Sequence, residues 1–447
     1  MFALRRLFAP LLIVSALILA ACDAEPTPLP EGYVAPEAAA QAAPTPDASQ
    51  PVTLRMLTWT RRGFEVDYTK VVEAFEAAHP NVKVELQRTS GTYDSELVGR
   101  LEDREKRPDV FHVNPYALDD LVRRQLVLDM QPLLRMGAEM PRDYLPGLLE
   151  IGRRGESQYA VPLGWNPYYV LLNTDIFKEA GVPLPEPDWT IEQFVETAKA
   201  LTDRSDPTQI VYGVGFETSS FGSDASVMSF LMSNEGARWF RDGEPRFSDA
   251  ATVRGLQHMQ DLYQRDKSAL SDAELAQAGQ PAWMLWSRGR IAMMPVVRAA
   301  VPFFTRQARH KWTVVALPRG ETRVNPYFIP HMLAVHSATT QPDLALELVR
   351  VMLSNDAQAA LIKNGSQMPP LLSQMSDARL MAGVPDADLA RRLAANPADP
   401  AQLELIQSGN AVALLGEVLE PQLARLLSGA QSAAETGQKI DAAWKER

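Results

Sequence analysis

The sequence predicts an α/β fold whose N-terminal part contains a parallel sheet. Residues 52–56 alternate apolar and polar side chains, as a strand of a half-buried sheet does. Residues 68–75 carry apolar side chains at helical spacing, and residues 82–86 alternate again. A strand, a helix and a second strand in this order indicate a parallel β-α-β unit. The segment from residue 155 to residue 202 adds further strands and helices, and the rest of the chain is organised around it.

This central segment has local signals that can be assigned one by one. Residues 159–163 and 170–173 are apolar runs that predict two short buried strands. Gly181 stands where a helix C-terminus needs a positive φ, which glycine adopts without strain. Thr190, followed three residues later by Gln193, forms a capping box that predicts the start of the next helix.

Three aromatic residues, Trp165, Tyr168 and Tyr169, lie between the two predicted strands, beside Gly164 and Asn166. They show no helical period, so we predict a loop that presents a binding surface. The alternative is that the rings close one edge of the core, where large aromatic side chains are commonly buried. We predict Trp165, Asn166 and Tyr168 as ligand contacts.

Length and charge restrict the class of protein. The chain has 447 residues, enough for two or three domains, and its formal net charge is −11 at pH 7. Such an acidic balance argues against nucleic acid or an anionic lipid surface as the main partner. Removal of an N-terminal segment containing Arg5 and Arg6 would make the mature charge −11 − 2 = −13.

The first 21 residues have the organisation of a signal peptide. Arg5 and Arg6 form a basic region, and residues 7–21 are apolar but too few to span a bilayer comfortably. The sequence Leu-Ala-Ala-Cys at 19–22 resembles the bacterial lipobox, in which the cysteine is lipidated and becomes the first mature residue. Cys22 is the only cysteine, so an internal disulfide is excluded. The alternative is a chance cysteine at the end of a membrane anchor.

Residues 22–51 follow as a tether. They are rich in alanine and proline and show no hydrophobic period, so they cannot bury enough surface to fold. Proline-rich chains are extended and semi-rigid, at about 3 Å per residue. We therefore expect a lipidated Cys22 followed by a disordered spacer that holds the folded part near a membrane.

The ordered part of the chain resembles bacterial extracellular solute-binding protein family 1, the sugar receptors of ABC importers. The family's characteristic positions match residues 159–162, 172–175, 180–182 and 188–190 in the central segment. Further matches, in family order, are Phe75, His79, Pro80, Val84, residues 108–113, 128–134, 288–293, 312–320 and 365–369. The resemblance covers residues 52–445 and is loosest between 373 and 410.

The resemblance implies a type II periplasmic-binding fold, in which two α/β lobes joined by a hinge enclose a ligand cleft. Lobe 1 would comprise residues 52–155 plus 296–340, and lobe 2 residues 156–295 plus 341–447. It also implies function: a monomeric, membrane-anchored lipoprotein on the periplasmic or extracellular side would close on a small solute, most often a sugar. It would then deliver that solute to the permease subunits of an ABC transporter.

Further candidate contacts come from strand ends and from the resemblance. Ligands of open α/β sheets bind beyond the carboxyl ends of strands, which points to Trp59 and Asn114. The resemblance adds four weaker candidates: Phe221, Trp286, Arg298 and Tyr327. Arg298 stands close to where the family usually has a tryptophan; a charged donor there would suit an acidic or heavily hydroxylated ligand, and the alternative is a surface ion pair.

Catalytic signatures are missing from the sequence. There is no HExxH, CxxC, GxSxG or phosphate-binding loop, and the six histidines are not at helical metal spacing. We therefore expect no enzyme activity, no cofactor and no metal. Two alternatives stay open: a lipid-anchored polysaccharide hydrolase that uses two carboxylates, and a sensor subunit that presents its ligand to a membrane kinase.

Overall fold

The computed structural model describes most of the chain after residue 50. The described residues are 51–58, 68–89, 93–135, 141–216, 237, 239–241, 244–320, 328–363, 365, 367–395, 400–409, 411 and 414–446. Cys22, the signal segment and the tether up to residue 50 lie outside them.

Twelve strands are assigned within the described residues. They are β1 (Val52–Thr58), β2 (Val82–Arg88), β3 (Val110–Val113), β4 (Arg153–Arg154), β5 (Ser157–Gln158), β6 (Val161–Asn173), β7 (Tyr212–Val214), β8 (Phe240–Arg241), β9 (Glu244–Pro245), β10 (Ile291–Val297), β11 (Trp312–Ala316) and β12 (Phe328–Val335).

The helices lie between and after these strands. They are α1 (Thr69–Ala78), α2 (Tyr93–Glu102), α3 (Leu118–Arg123), α4 (Gln131–Arg135), α5 (Thr174–Ala180), α6 (Ile191–Ala200), α7 (Ala250–Gln260), α8 (Asp272–Ala278), α9 (Ala282–Ser287), α10 (Val301–Gln307), α11 (Pro342–Met352), α12 (Asn355–Lys363), α13 (Leu372–Ser376), α14 (Ala387–Ala394), α15 (Pro400–Ile406), α16 (Glu420–Leu427) and α17 (Ala433–Lys445). Among the described residues, no helix combines the length and the apolar character needed to cross a bilayer.

The N-terminal prediction of a parallel β-α-β unit is confirmed. Strand β1 pairs in parallel with β2 and with β3, and α1 connects β1 to β2. Helix α1 buries Val71, Val72 and Phe75, the positions that the helical spacing selects. The order along the sheet is β2-β1-β3-β12-β6-β10-β7, with β11 also paired to β6.

Strand β6 corrects the prediction of two strands separated by an aromatic loop. It is one strand of 13 residues, and every one of them is buried. Its first half pairs with β12 up to Pro167, and its second half pairs with β10 and β11 from Tyr168 onwards. The continuous backbone is favoured because each half has its own strand partners, so Trp165, Tyr168 and Tyr169 are strand residues.

Two packed bodies are built around the two halves of β6. The first body surrounds β1, β2, β3, β12 and the start of β6, with one apolar cluster on each face of its sheet. Helices α1, α11 and α12 cover one face, and α2, α3 and α14 cover the other. The second body surrounds the end of β6 with β7, β10 and β11, and α5, α6, α7 and α17 contribute to its core.

This packing corrects the predicted lobes in two places. Residues 296–316 were expected in lobe 1, but Val296, Ala300 and Phe304 lie in the core of the second body because β10 and β11 pair with the end of β6. Residues 341–394 were expected in lobe 2, but α11, α12 and α14 pack on the sheet of the first body. The C-terminal helices α16 and α17 pack in the second body.

The chain passes between the bodies at β6, between β11 and β12, and around α15. At α15, Leu405 packs in the second body and Ile406 in the first. The buried side chain of Gln402 fixes α15 to β12, because its amide donates to the carbonyl of Phe328 and accepts from the Phe328 backbone N–H.

The local signals of the central segment are also confirmed. Gly181 has φ 67° and ends α5. The side chain of Thr190 accepts from the backbone of Gln193, and Gln193 caps the backbone of Thr190 in return. Such caps are decided by residues three positions apart, so a sequence is sufficient to find them.

Candidate functional site

A β-bulge in β6 decides which side chains face the polar side of the first sheet. His331 of β12 pairs with Gly164, and Met332 pairs with Pro162, so Leu163 is the extra residue. A bulge reverses the alternation of side chains along a strand. Beyond it, Trp165 therefore turns into one apolar cluster of the first body, and Asn166 turns to the opposite face, the one to which His331 belongs.

Asn166 and His331 form the centre of this face. Nδ2 of Asn166 lies 3.0 Å from Nε2 of His331. An amide nitrogen can only donate, so His331 accepts at Nε2 and carries its proton on Nδ1. Asn166 is completely buried, whereas His331 is partly exposed. The pair therefore places an amide and an imidazole at the point where β6 leaves the first body.

His112 and Tyr68 extend the same polar face. The β3–β12 register pairs His112 with Leu333 and Val113 with Met332. One further step along both chains would bring Asn114 opposite His331. Residues two apart on a strand share a face, so His112 and Asn114 project to the side of His331. Oη of Tyr68 lies 3.0 Å from Nε2 of His112.

The titratable groups of this face are neutral at physiological pH. Burial lowers the pKa of His112 to about 3, with a smaller contribution from the charge of His331. Burial lowers the pKa of His331 to about 4. Burial raises the pKa of Tyr68 well above its ordinary value. We call Tyr68, His112, Asn114, Asn166 and His331 the neutral face; it offers hydrogen-bond donors and acceptors and contains no carboxylate.

Asn114 was predicted as a ligand contact from its place after β3, and that role stays a prediction. Its Oδ1 accepts from the backbone N–H of Tyr116 (3.1 Å), which starts the short 3₁₀ helix Pro115–Ala117. Tyr116 packs against the clusters of both bodies, so this turn lies at their junction.

The predicted aromatic contacts of β6 are packed in cores. Trp165 is 2% exposed; its indole N–H donates to the carbonyl of Pro369 (3.1 Å), and its ring meets the edge of Phe328 at 5.9 Å between centroids. Tyr168 is 1% exposed and lies in the core of the second body. Both stay predictions as ligand contacts, and this packing favours the alternative that the rings close a core edge.

Trp286 is also in the interior. It is 0% exposed, and it contacts Phe304, His310 and Trp312 at centroid distances of 5.1, 4.5 and 6.0 Å. The role in ligand binding stays a prediction that this position does not favour. Trp59, Phe221 and Tyr327, the other predicted contacts, lie outside the described residues.

Arg298 forms an ion pair, as its alternative interpretation held, but the pair is buried rather than at the surface. Its guanidinium bonds both carboxylate oxygens of Asp386, at 2.9 and 3.2 Å, and donates to the carbonyl of Gly365 at 3.1 Å. The side chains of Arg298 and Asp386 are only 5% and 4% exposed. A charge that is already matched inside the protein gives little reason to expect an acidic ligand.

His112 and His331 are the residues that sequence reasoning missed. His112 stands two positions before Asn114 in the same strand, so simple alternation would have placed it on the candidate face. His331 had no such signal, because it belongs to no motif and follows no predicted strand end. Tyr68 was assigned to a helix face and not to the site.

The site has no arrangement typical of a metal centre. Within the described residues, no group of three or more His, Cys, Asp or Glu side chains is placed to hold a metal ion. The side chains of the neutral face are hydrogen-bond donors and acceptors.

Comparison with known proteins identifies relatives. A sequence model described as "Bacterial extracellular solute-binding protein" matches residues 65–359. A protein of Streptomyces antibioticus described as an uncharacterised lipoprotein in the oleD 5' region is 27% identical over 327 residues, which are 69% of this chain and 68% of that protein.

Solved structures show the same fold. The ABC substrate-binding protein Lmo0181 of Listeria monocytogenes, in complex with cycloalternan, has a TM-score of 0.71 at 18% identity, over 89% of this chain and 99% of that one. The sugar-binding protein MalE of Xanthomonas citri has a TM-score of 0.72 at 19% identity, over 88% and 96%. The GacH receptor of Streptomyces glaucescens, studied unliganded and with acarbose, has a TM-score of 0.69 at 19% identity, over 89% and 98%.

Proposed function

Because the chain belongs to the bacterial extracellular solute-binding protein family, we propose that it captures an uncharged sugar or oligosaccharide and delivers it to the permease of an ABC importer. The chain has the type II fold of sugar-binding ABC transporter substrate-binding proteins. The solute, its delivery and the lipid anchor are the parts that we add.

The neutral face is the observation that carries the proposal. Its side chains supply two amides, two neutral imidazoles and a phenol, which match the hydroxyl groups of a sugar as donors and acceptors. A sugar has no charge to neutralise, and this face presents none at neutral pH, because burial lowers the pKa of both histidines. An anionic solute would need a cation here, and Arg298 already pairs with Asp386.

Binding would act through the two bodies. Strand β6 joins them at the neutral face, so a solute held there could contact both bodies when they close. A solute that touches both bodies only in the closed arrangement favours that arrangement. The closed form is then the one that the permease would recognise.

The N-terminal cysteine would keep the protein at its membrane. The lipobox-like sequence before Cys22 and the Pro-rich tether support this, as does the description of the Streptomyces antibioticus relative as a lipoprotein. We expect Cys22→Ser to release the protein from the membrane fraction into the soluble fraction in its own host, measured by immunoblotting. The same distribution in wild type and variant would contradict anchoring at Cys22.

Family membership and the chemistry of the face favour binding without turnover. A polysaccharide hydrolase would need two carboxylates beside the bound sugar. The neutral face contains none among its five residues. Unchanged sugar after prolonged incubation, measured by chromatography, is the expected outcome.

A thermal-shift screen tests the proposed solute class. A ligand that binds only the folded protein stabilises it, by about 2.7 kcal/mol at 100 times Kd. We expect one or more members of a panel of uncharged sugars and polyols, including maltose, acarbose-like oligosaccharides and mannitol, to raise the melting temperature by several degrees. Galacturonate, as an anionic member, should not. Stabilisation by galacturonate alone would contradict the assignment of an uncharged solute.

His331→Ala tests the site itself. Removal of the imidazole takes one hydrogen-bonding group from the face and leaves the Asn166 amide without that bond, which costs about 1–3 kcal/mol for a buried polar group. We expect affinity for the sugar found in the screen to fall roughly tenfold or more by calorimetry. The matched control is His258→Ala on α7 of the second body, which should bind as the wild type does. Equal affinity in His331→Ala and wild type would remove His331 from the site.

A further inference from the structure

A second polar cluster lies at the same crossing of β6, and the neutral face does not include it. Asp386 is buried at the start of α14 and receives three hydrogen bonds: two from the guanidinium of Arg298 and one from Oη of Tyr169 at 2.8 Å. Arg298 also donates to the carbonyl of Gly365 at 3.1 Å. We call Tyr169, Arg298, Gly365 and Asp386 the bracket.

The bracket joins the two bodies. Tyr169 belongs to the half of β6 that pairs with β11, and Arg298 follows β10, so both belong to the second body. Asp386 precedes α14, which packs in an apolar cluster of the first body. Gly365 follows α12, which also packs on the first body. Each hydrogen bond of the bracket therefore crosses from one body to the other.

Apolar contacts close the bracket off from water. Leu389 of α14 packs against Tyr169 and Ala316, with Val301 of α10 beside them. A Cβ on Gly365 would collide with the ring of Pro302 in α10, so the backbone at Gly365 lies against that ring. The bracket is thus a built contact between the bodies, with buried charges that are matched by hydrogen bonds.

The bracket and the neutral face lie on opposite sides of β6. Successive side chains of a strand point to opposite faces. Tyr169 is four residues after Trp165 and therefore points to the same face of β6, the face of the cluster that contains α14. Asn166 is next to Trp165 and points to the opposite face. A rotation of the two bodies about β6 that closes them on the Asn166 side must separate them on the Tyr169 side.

We propose that the bracket restrains rotation of the two bodies about β6 and so holds them apart on the side of the neutral face. This proposal rests on the proposed function for one point, that the solute binds on the Asn166 side. Closure on a solute would have to separate Asp386 from Arg298 and Tyr169. Tyr169, Arg298 and Asp386 are then positioning residues that lower the affinity for solute without contacting it.

Pulsed electron paramagnetic resonance on the full chain without any sugar tests the restraint. Cys22→Ser removes the native cysteine. One spin label is attached at Thr305→Cys, an exposed position of α10 in the second body. The other is attached at Ala395→Cys, an exposed position directly after α14 in the first body. Two bracket variants are compared with the wild type. Tyr169→Phe removes one donor, and the double variant Arg298→Met with Asp386→Leu removes both charges together, so that neither is left buried alone.

We expect the distance distribution between the labels to become longer or broader in both bracket variants. The matched control is Arg391→Met with Asp388→Leu, which removes the exposed ion pair of the same helix (2.7 Å) and should keep the wild-type distribution. A wild-type distribution in both bracket variants would overturn the proposal. If the double variant does not fold, Tyr169→Phe alone decides.

Calorimetry with maltose as the probe gives the second readout. Release of the restraint raises the fraction of protein that can close, so we expect the Kd for maltose to fall, roughly tenfold in the double variant. Weaker or equal binding in a folded variant would overturn the link between bracket and affinity. Failure of every variant and the wild type to bind maltose would count against maltose as the solute, while the resonance experiment still decides the restraint.

Discussion

The two sides of β6 at the crossing between the bodies use polar groups in different ways. On one side, Asn166 and His331 form a neutral pair in which one member, His331, is partly exposed. On the other side, Asp386 and Arg298 form a charged pair that is buried and fully matched by internal hydrogen bonds. Neutral groups can exchange a protein partner for a sugar hydroxyl at small cost, whereas separated buried charges cost much more.

The comparison teaches that charge near a candidate site is a poor guide to the ligand. Arg298 is the residue that sequence reasoning would assign to an acidic solute, yet its charge is used within the protein. In the proposed function, the groups that a solute would meet are those whose charge burial has suppressed, His112 and His331. Three measurements would sharpen this contrast or break it.

The largest effect is expected at the charged side. Asp386→Ala leaves the guanidinium of Arg298 buried without its carboxylate, which costs about 3–5 kcal/mol of unfolding free energy. The control is Asp388→Ala, two residues later. The Asp388 side chain is 86% exposed, so its removal should change the unfolding free energy by less than about 0.5 kcal/mol. Urea denaturation measures both. A small loss in Asp386→Ala would mean that Arg298 finds another partner or water, and that the bracket is not closed.

A glycine on the neutral side gives an intermediate effect. A Cβ on Gly164 would collide with the amide of Gln367 and lie 2.8 Å from the carbonyl of Met368. We expect Gly164→Ala to cost about 1–3 kcal/mol of unfolding free energy, because the bulge beside it holds these groups in place. Gly99→Ala is the matched control. Nothing lies within 4 Å of its Cβ position inside α2, so alanine there should stabilise by about 0.5–1 kcal/mol. Equal effects at both glycines would contradict the close packing of the neutral side.

The smallest effect is a pH dependence that belongs to the neutral side. The pKa of His331 in the folded protein is about 4, below its ordinary value of 6.5. The unfolded chain therefore binds more protons between these values, and stability falls as pH falls from 6.5 towards 4. Between pH 6.5 and 5.5 the loss is about 1 kcal/mol for one such histidine.

Urea denaturation of His331→Gln at pH 7 and pH 5.5 measures this contribution. On acidification from pH 7 to pH 5.5, we expect the unfolding free energy of the variant to fall by about 1 kcal/mol less than that of the wild type. Some pH dependence should remain in the variant, because His112 is still present and its pKa is also lowered. Between pH 7 and pH 8 the two proteins should change alike, because His331 is neutral in both states there. Identical acid losses would show that His331 is solvated like a free histidine, and the contrast between the two sides would weaken.

Patterns confined to a few neighbouring residues were predicted well. The strands β1 and β2, the apolar stripe of α1, the C-terminus of α5 at Gly181 and the capping box at Thr190 all follow from side chains within one or two turns of each other. The family resemblance gave the fold, and the sequence model and the solved structures confirm it. The amide Asn166 was named from the sequence, but its partner His331 was not.

The errors concern contacts between distant parts of the chain. Two strands with an aromatic loop were predicted where one strand runs through, because apolar runs do not show which partners each half will find. Residues 341–394 were placed in the wrong body for the same reason, since an amphipathic helix such as α11 has an apolar face that fits either sheet.

The sequence by itself determined the α/β class, the helix caps and the family. These depend on residue type and short spacing, and such signals act locally. Only the tertiary structure decided that a bulge at Leu163 turns Asn166 towards His331, and that Arg298 meets Asp386 from 88 positions away. The physical reason is that register and ion pairing are chosen by competition among many distant partners, and one chain position does not reveal which of them wins.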